Sequence, residues 1–111
     1  MYPSGKWRGF WEQIHWGRQP MNNLVLHFSA GNVEGSGTDN VGPFTFQGTY
    51  DGDGAIVLIK RYPRHKVEYK GIYDGEGTTF GEWSIGALWR GKFALTPEKF
   101  TAPADTPIQE I

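Results

Sequence analysis

Glycine recurs at two-residue spacing among the bulkiest side chains of this chain, as in Trp7, Gly9, Trp11; Phe44, Phe46, Gly48, Tyr50; Val67, Tyr69, Gly71, Tyr73; and Trp89, Gly91, Phe93, Leu95. The same register runs through Val33, Gly35, Gly37 and through Gly81, Trp83, Ile85. Residues two apart share one face of a β-strand. A glycine there weakens the strand unless it permits a bend or lets a large neighbour approach the backbone. Both needs arise when a small sheet curls shut, so the pattern predicts a closed barrel. Closure also removes the exposed edges that short strands would otherwise present.

Eight alternating segments carry this pattern: 6–14, 24–29, 33–38, 44–50, 55–62, 67–73, 79–85 and 88–95. No sustained 3.6-residue stripe competes with them. The connections are mostly short turns rich in Gly, Asn, Asp and Pro, and such brief links join antiparallel neighbours. With 16 glycines, 7 prolines and 17 aromatic residues in 111, the chain predicts an all-β fold, an eight-stranded antiparallel up-and-down barrel. One domain spans residues 1–95. Residues 96–111, with three prolines in the first twelve and no alternation, form a Pro-rich C-terminal tail outside the sheet. The gap from His15 to Asn23 contains Gly17 and Pro20 and is expected to be a loop or lid. Two echoing segments, residues 48–54 and 71–77, both read Gly-x-Tyr-Asp-Gly-acid-Gly. They lack the length and distal Glu of a calcium loop and read as tight turns.

A net charge of −1 lacks the basic footprint of a nucleic-acid partner. The absence of cysteine excludes disulfides and thiolate chemistry and suits a reducing, cytoplasmic setting. No run of about 18 apolar residues is long enough to cross a membrane, so no membrane partner is expected. His15, His27 and His65 are too dispersed for a local metal motif, and neither metal nor cofactor is expected.

Gly5-Lys6-Trp7, opening the first strand, resembles the Gly-x-Trp start of the calycins, the superfamily of lipocalins, fatty-acid-binding proteins and avidins. The resemblance implies a streptavidin-like small barrel with Trp7 plugging one end. It also implies a cation, Arg90 or Lys92, packed across that plug. Gly9 stands where avidins place a ligand-binding Asn, so the architecture and a tendency to bind ligands carry over, and biotin does not.

A barrel of eight strands either just holds one small molecule or fills with side chains. The candidate ligand-binding residues on the inward register are Trp11, Gln13, Tyr50, Lys60, Tyr69, Tyr73, Trp83 and Trp89. Within 55–62 both faces are apolar, leaving the direction of Lys60 open. An inward Lys60 must meet an acid or an anionic ligand, because an unpaired buried charge is costly. The leading expectation is a barrel binding a modest apolar or aromatic ligand at one end. The alternative is a solidly packed barrel serving protein interaction or homo-oligomerisation through outward Phe10, Ile14, Val25, Ile72 and Phe80. A third is an isomerase- or cyclase-type enzyme on a hydrophobic substrate, using Glu12 or Glu82 with a tyrosine. No catalytic residue is assigned, and binding is expected ahead of catalysis.

Overall fold

The computed structural model describes residues 2–98. Eight strands follow in order: β1 (Gly5–Gln13), β2 (Gly17–Ser29), β3 (Asn32–Thr38), β4 (Pro43–Tyr50), β5 (Ala55–Arg61), β6 (Lys66–Tyr73), β7 (Thr79–Ile85) and β8 (Trp89–Pro97). Each pairs antiparallel with the next, and β8 returns to β1 to close the barrel. Among the described residues there is no helix, and so none long and apolar enough to cross a membrane.

Alternation sets the interior. Leu24, Leu26, Val33, Phe46, Leu58, Tyr69, Phe93 and Leu95 are almost completely buried. The spaced glycines let strands curve around these side chains. A Cβ on Gly48 would overlap the Val57 carbonyl oxygen of the neighbouring strand, and one on Gly81 would overlap that of Lys70. These positions exclude a side chain through close backbone approach, as the curvature reading requires.

The expected loop at 15–23 is instead mostly strand. Only a short turn at 14–16 separates β1 from β2, and Gly17, Arg18, Gln19 and Pro20 pair with Gln13, Glu12, Trp11 and Phe10. Pro20 is tolerated because β2 begins pairing with β3 only at Asn22, so this stretch has one hydrogen-bonded neighbour and can spare an N–H. The sheet also runs further at its other end. Thr96 and Pro97 pair with Arg8 and Trp7, so the tail expected from residue 96 starts two residues too early, and its remainder beyond 98 lies outside the described residues. The echoing turns are built alike. Oδ1 of Asp51 accepts from the N–H groups of Asp53 and Ala55, and Oδ1 of Asp74 from those of Glu76 and Thr78.

An up-and-down barrel places alternate turns at opposite ends. The β2–β3, β4–β5 and β6–β7 turns share one end with the N-terminus. That end is sealed by Tyr2, which stacks on Phe28 (4.9 Å between ring centroids) and meets Tyr50 and Tyr73 edge-on. The Tyr2 hydroxyl donates to the Gly54 carbonyl at 2.7 Å. Trp7 lies beneath, buried against Tyr2 and Phe28, its indole N–H donating to Pro3 O at 2.8 Å. Trp7 is thus buried at this end, and Arg90 is not beside it. Arg90 is exposed opposite Ser84, at the far end of β8, whereas Trp7 lies opposite Pro97. An aromatic lid from the N-terminus takes the place of the expected cation.

Candidate functional site

The opposite end is open. Lys60 decides its character, because β5 turns Ile56, Leu58 and Lys60 inward and leaves Val57 outside. With 1% of its side chain exposed, Lys60 meets the acid that its burial demands. Its Nζ donates to Asp39 Oδ2 at 2.6 Å, and the Asp39 carboxylate is fully enclosed. The β3–β4 turn carries Asp39 over the barrel mouth, closed by reciprocal backbone bonds between Asp39 and Gly42. Oδ1 accepts from the Val41 and Gly42 N–H groups, which orients the carboxylate.

Oδ2 is shared. Besides Lys60 it accepts from the Tyr62 hydroxyl at 2.5 Å and the Trp11 indole N–H at 3.2 Å. Lys60 also donates to the Tyr69 hydroxyl at 3.1 Å and sits 4.2 Å from the centroid of the Phe44 ring. This environment moves every titration in the cluster. Burial pulls the Lys60 ammonium down to about 8 against the opposing pull of Asp39. Burial alone would raise Asp39, but hydrogen bonds from Lys60 and Tyr62 outweigh it and hold the carboxyl below its ordinary value. Burial, reinforced by the Asp39 charge, pushes the hydroxyls of Tyr62 and Tyr69 well above the ordinary phenol range. At neutral pH the centre is thus an ammonium–carboxylate pair flanked by two neutral phenols.

Beside this centre lies a cavity of about 140 Å³ opening to solvent, lined among others by Trp11, Gln13, Tyr69 and Trp83, with Trp16 and His65 from two turns. Trp11 and Trp83 meet edge-to-face at 5.9 Å, and the Trp83 N–H is held by the Glu12 carbonyl. His65 stacks on Tyr62 at 4.8 Å. The walls are therefore rigid aromatic planes, with the half-buried Gln13 amide as a polar group on the lining.

Of the residues singled out from the sequence, Trp11, Gln13, Tyr69 and Trp83 converge on this cavity, and Lys60 lies directly behind Tyr69. Tyr50 and Tyr73 belong to the sealed end, around Tyr2. Trp89 is exposed on the rim opposite Ile85 and does not line the cavity. The carboxylates Glu12 and Glu82 form no buried pair. Glu12 binds Arg18 at the surface, and Glu82 is exposed between Lys70 and Lys92. Sequence reasoning missed Asp39, Tyr62 as a site residue, and Tyr2. Asp39 had one usable signal: an inward lysine requires an acid, and a turn over the mouth can supply it.

The geometry defines a one-ended barrel with a small aromatic cup above a buried ion pair. No protein-family model, curated protein or solved structure matches the chain.

Proposed function

We propose that this chain is a calycin-like binding barrel that takes one small apolar or aromatic molecule into its open end. The observation that carries the reading is the aromatic cavity at one end of a barrel whose other end is filled. An apolar cavity of about 150 Å³ accommodates benzene, so about 140 Å³ open to solvent suits one ring held inside, with any second ring standing in the mouth. The Tyr69 hydroxyl accepts from Lys60 and has no acceptor for its own proton among the described residues. That proton and the Gln13 amide favour a ligand carrying a carbonyl or similar acceptor. The calycin reading draws on the Gly5-Lys6-Trp7 opening, the buried plug at Trp7 and the up-and-down strand order.

Calorimetric titration with indole and with its carbonyl counterpart oxindole tests this. One-to-one saturable binding is expected, tighter for oxindole. Ile85→Trp, which crowds the mouth from an exposed position, should abolish it. Absence of saturable binding for both compounds, or binding indifferent to Ile85→Trp and Trp11→Ala, would refute the reading.

A second reading, a homo-oligomerisation module, draws on the outer wall. Ala55, Ile72, Phe80, Ala94 and Phe10 are successive register partners across five strands and form one apolar row. Sedimentation equilibrium of the chain and of Phe80→Lys tests it: a dimer dispersed by the substitution supports the row, and a monomer at all concentrations removes it.

A further inference from the structure

The two ends of the barrel differ in surface chemistry as sharply as in shape. At the open end, Ile14 (78% exposed), Trp16 (62%) and Leu88 (89%) stand on or beside the turns, joined by Val41, Ile85 and Trp89. Six of the large apolar side chains that this chain leaves in water thus ring one mouth. Apolar exposure concentrated in this way marks a surface that is covered in use. The β5–β6 turn, between them, carries Arg64 and Lys66 with Arg61 beside it. Arg61, Arg64, Lys66 and Arg90 make no ion pair among the described residues. Of the acids towards this end, Asp39 is engaged by Lys60, Glu12 by Arg18 and Glu68 by Lys70, and Glu82 lies further down the wall between Lys70 and Lys92.

The sealed end is the reverse. Its turns hold Asp51, Asp53, Asp74 and Glu76, with glycines and Ala30 but no large apolar residue. The molecule therefore carries a basic, apolar-tipped face and an acidic, polar one.

We propose that the open end is a docking surface for an anionic lipid bilayer, with Ile14, Trp16 and Leu88 entering the headgroup layer and Arg64 and Lys66 meeting its negative charge. Tryptophan favours that interface, where its ring is half apolar and half polar. Basic residues beside it gain from the surface potential of acidic lipids. This contact lies on the membrane surface, so it needs no spanning segment. A second copy fits less well. Face to face, two open ends bring Arg64 and Lys66 against like charges. Head to tail, the charges match, but the turns of the acidic end carry nothing large and apolar to cover Leu88 or Trp16, and the nearest exposed apolar side chains, Ile72 and Phe80, stand on the outer wall. The inference does not rest on the ligand reading: Trp16 also lines the cavity, but Ile14, Leu88, Arg64 and Lys66 lie outside it.

Vesicle flotation of the full chain decides the matter, comparing pure phosphatidylcholine with vesicles carrying about 30% phosphatidylserine. The chain is expected to float with the acidic vesicles and to stay behind with the neutral ones. Trp16→Ser combined with Leu88→Ser should abolish flotation, with the melting temperature preserved because both side chains are exposed. Arg64→Gln combined with Lys66→Gln should weaken it about 25-fold, roughly fivefold for each basic residue near the surface. Failure to float, or flotation insensitive to both pairs, overturns the proposal. So does a dimer, without vesicle binding, that the Trp16 and Leu88 substitutions disperse, since the face would then belong to a second copy.

Discussion

Lys60 Nζ lies 2.6 Å from Asp39 Oδ2 with both side chains closed off from solvent, so a turn over the mouth is fastened to the barrel interior by one ion pair. Breaking such a pair from one side is far more damaging than removing it whole, because the remaining charge is left buried alone. Asp39→Asn should cost about 3–5 kcal/mol, read as a lowered urea midpoint. Adding Lys60→Met to Asp39→Asn should recover part of that loss. A double variant no more stable than Asp39→Asn would show that Lys60 needs no counter-charge.

The same cluster sets an unusual pH profile. Folding lowers the Lys60 pKa from 10.5 to about 8, so between those values the unfolded chain binds more protons and stability rises with pH. Tyr2, Tyr62 and Tyr69, raised by burial above 10.0, act oppositely. Above pH 10 the unfolded chain loses phenolic protons that the folded chain keeps, and stability falls. Asp39, held below 3.8, contributes stability above that value that is lost as pH falls through its folded pKa. Denaturation midpoints should therefore rise from pH 8 towards 10 and then drop, and Lys60→Met should flatten the rise alone. An unchanged rise in that variant would assign it to another group.

Curvature can be tested with one methyl group. Gly48→Ala drives a Cβ into the Val57 carbonyl, whereas Gly52→Ala meets nothing within 4 Å. Overpacking of the first kind typically costs about 1–3 kcal/mol, and the second change should lie within about 0.5 kcal/mol of the parent. Equal midpoints for the two variants would mean that the β4–β5 approach is looser than described.

Tyr2 holds the sealed end through both its ring and its hydroxyl. Tyr2→Phe keeps the stack on Phe28 and loses the bond to Gly54 O, so a loss of about 1 kcal/mol is expected. Tyr2→Ala removes the lid and should cost about 3–5 kcal/mol, with Trp7 fluorescence shifting red as water reaches it. An emission maximum unchanged from the parent's would show that Trp7 is shielded without Tyr2.

Strand number, order and the inward faces of most strands were legible because alternation is local and glycine marks curvature. Turn residues misled where tertiary context overrode them. Gly17 and Pro20 sit inside a strand because β1 supplies its partner and β3 does not reach that far. The direction of Lys60 was unreadable from 55–62, where Ile56 and Leu58 on one face match Val57 and Ile59 on the other. Asp39 was invisible as a site residue for a different reason. Its partner lies 21 positions away, and no local pattern encodes a turn folding over a barrel mouth. Ile85 and Trp89 follow the inward register yet are exposed, as the last register pair before the β7–β8 turn.

Parity in the order of turns carries a consequence for how such a chain can change. The first, third, fifth and seventh turns ring the cup, while the second, fourth and sixth ring the lid. Insertions or substitutions in odd turns can retune what the mouth meets while the even turns keep the base shut. The open mouth and the closed base are thus written in separate, interleaved stretches of sequence, and one can drift while the other stays fixed.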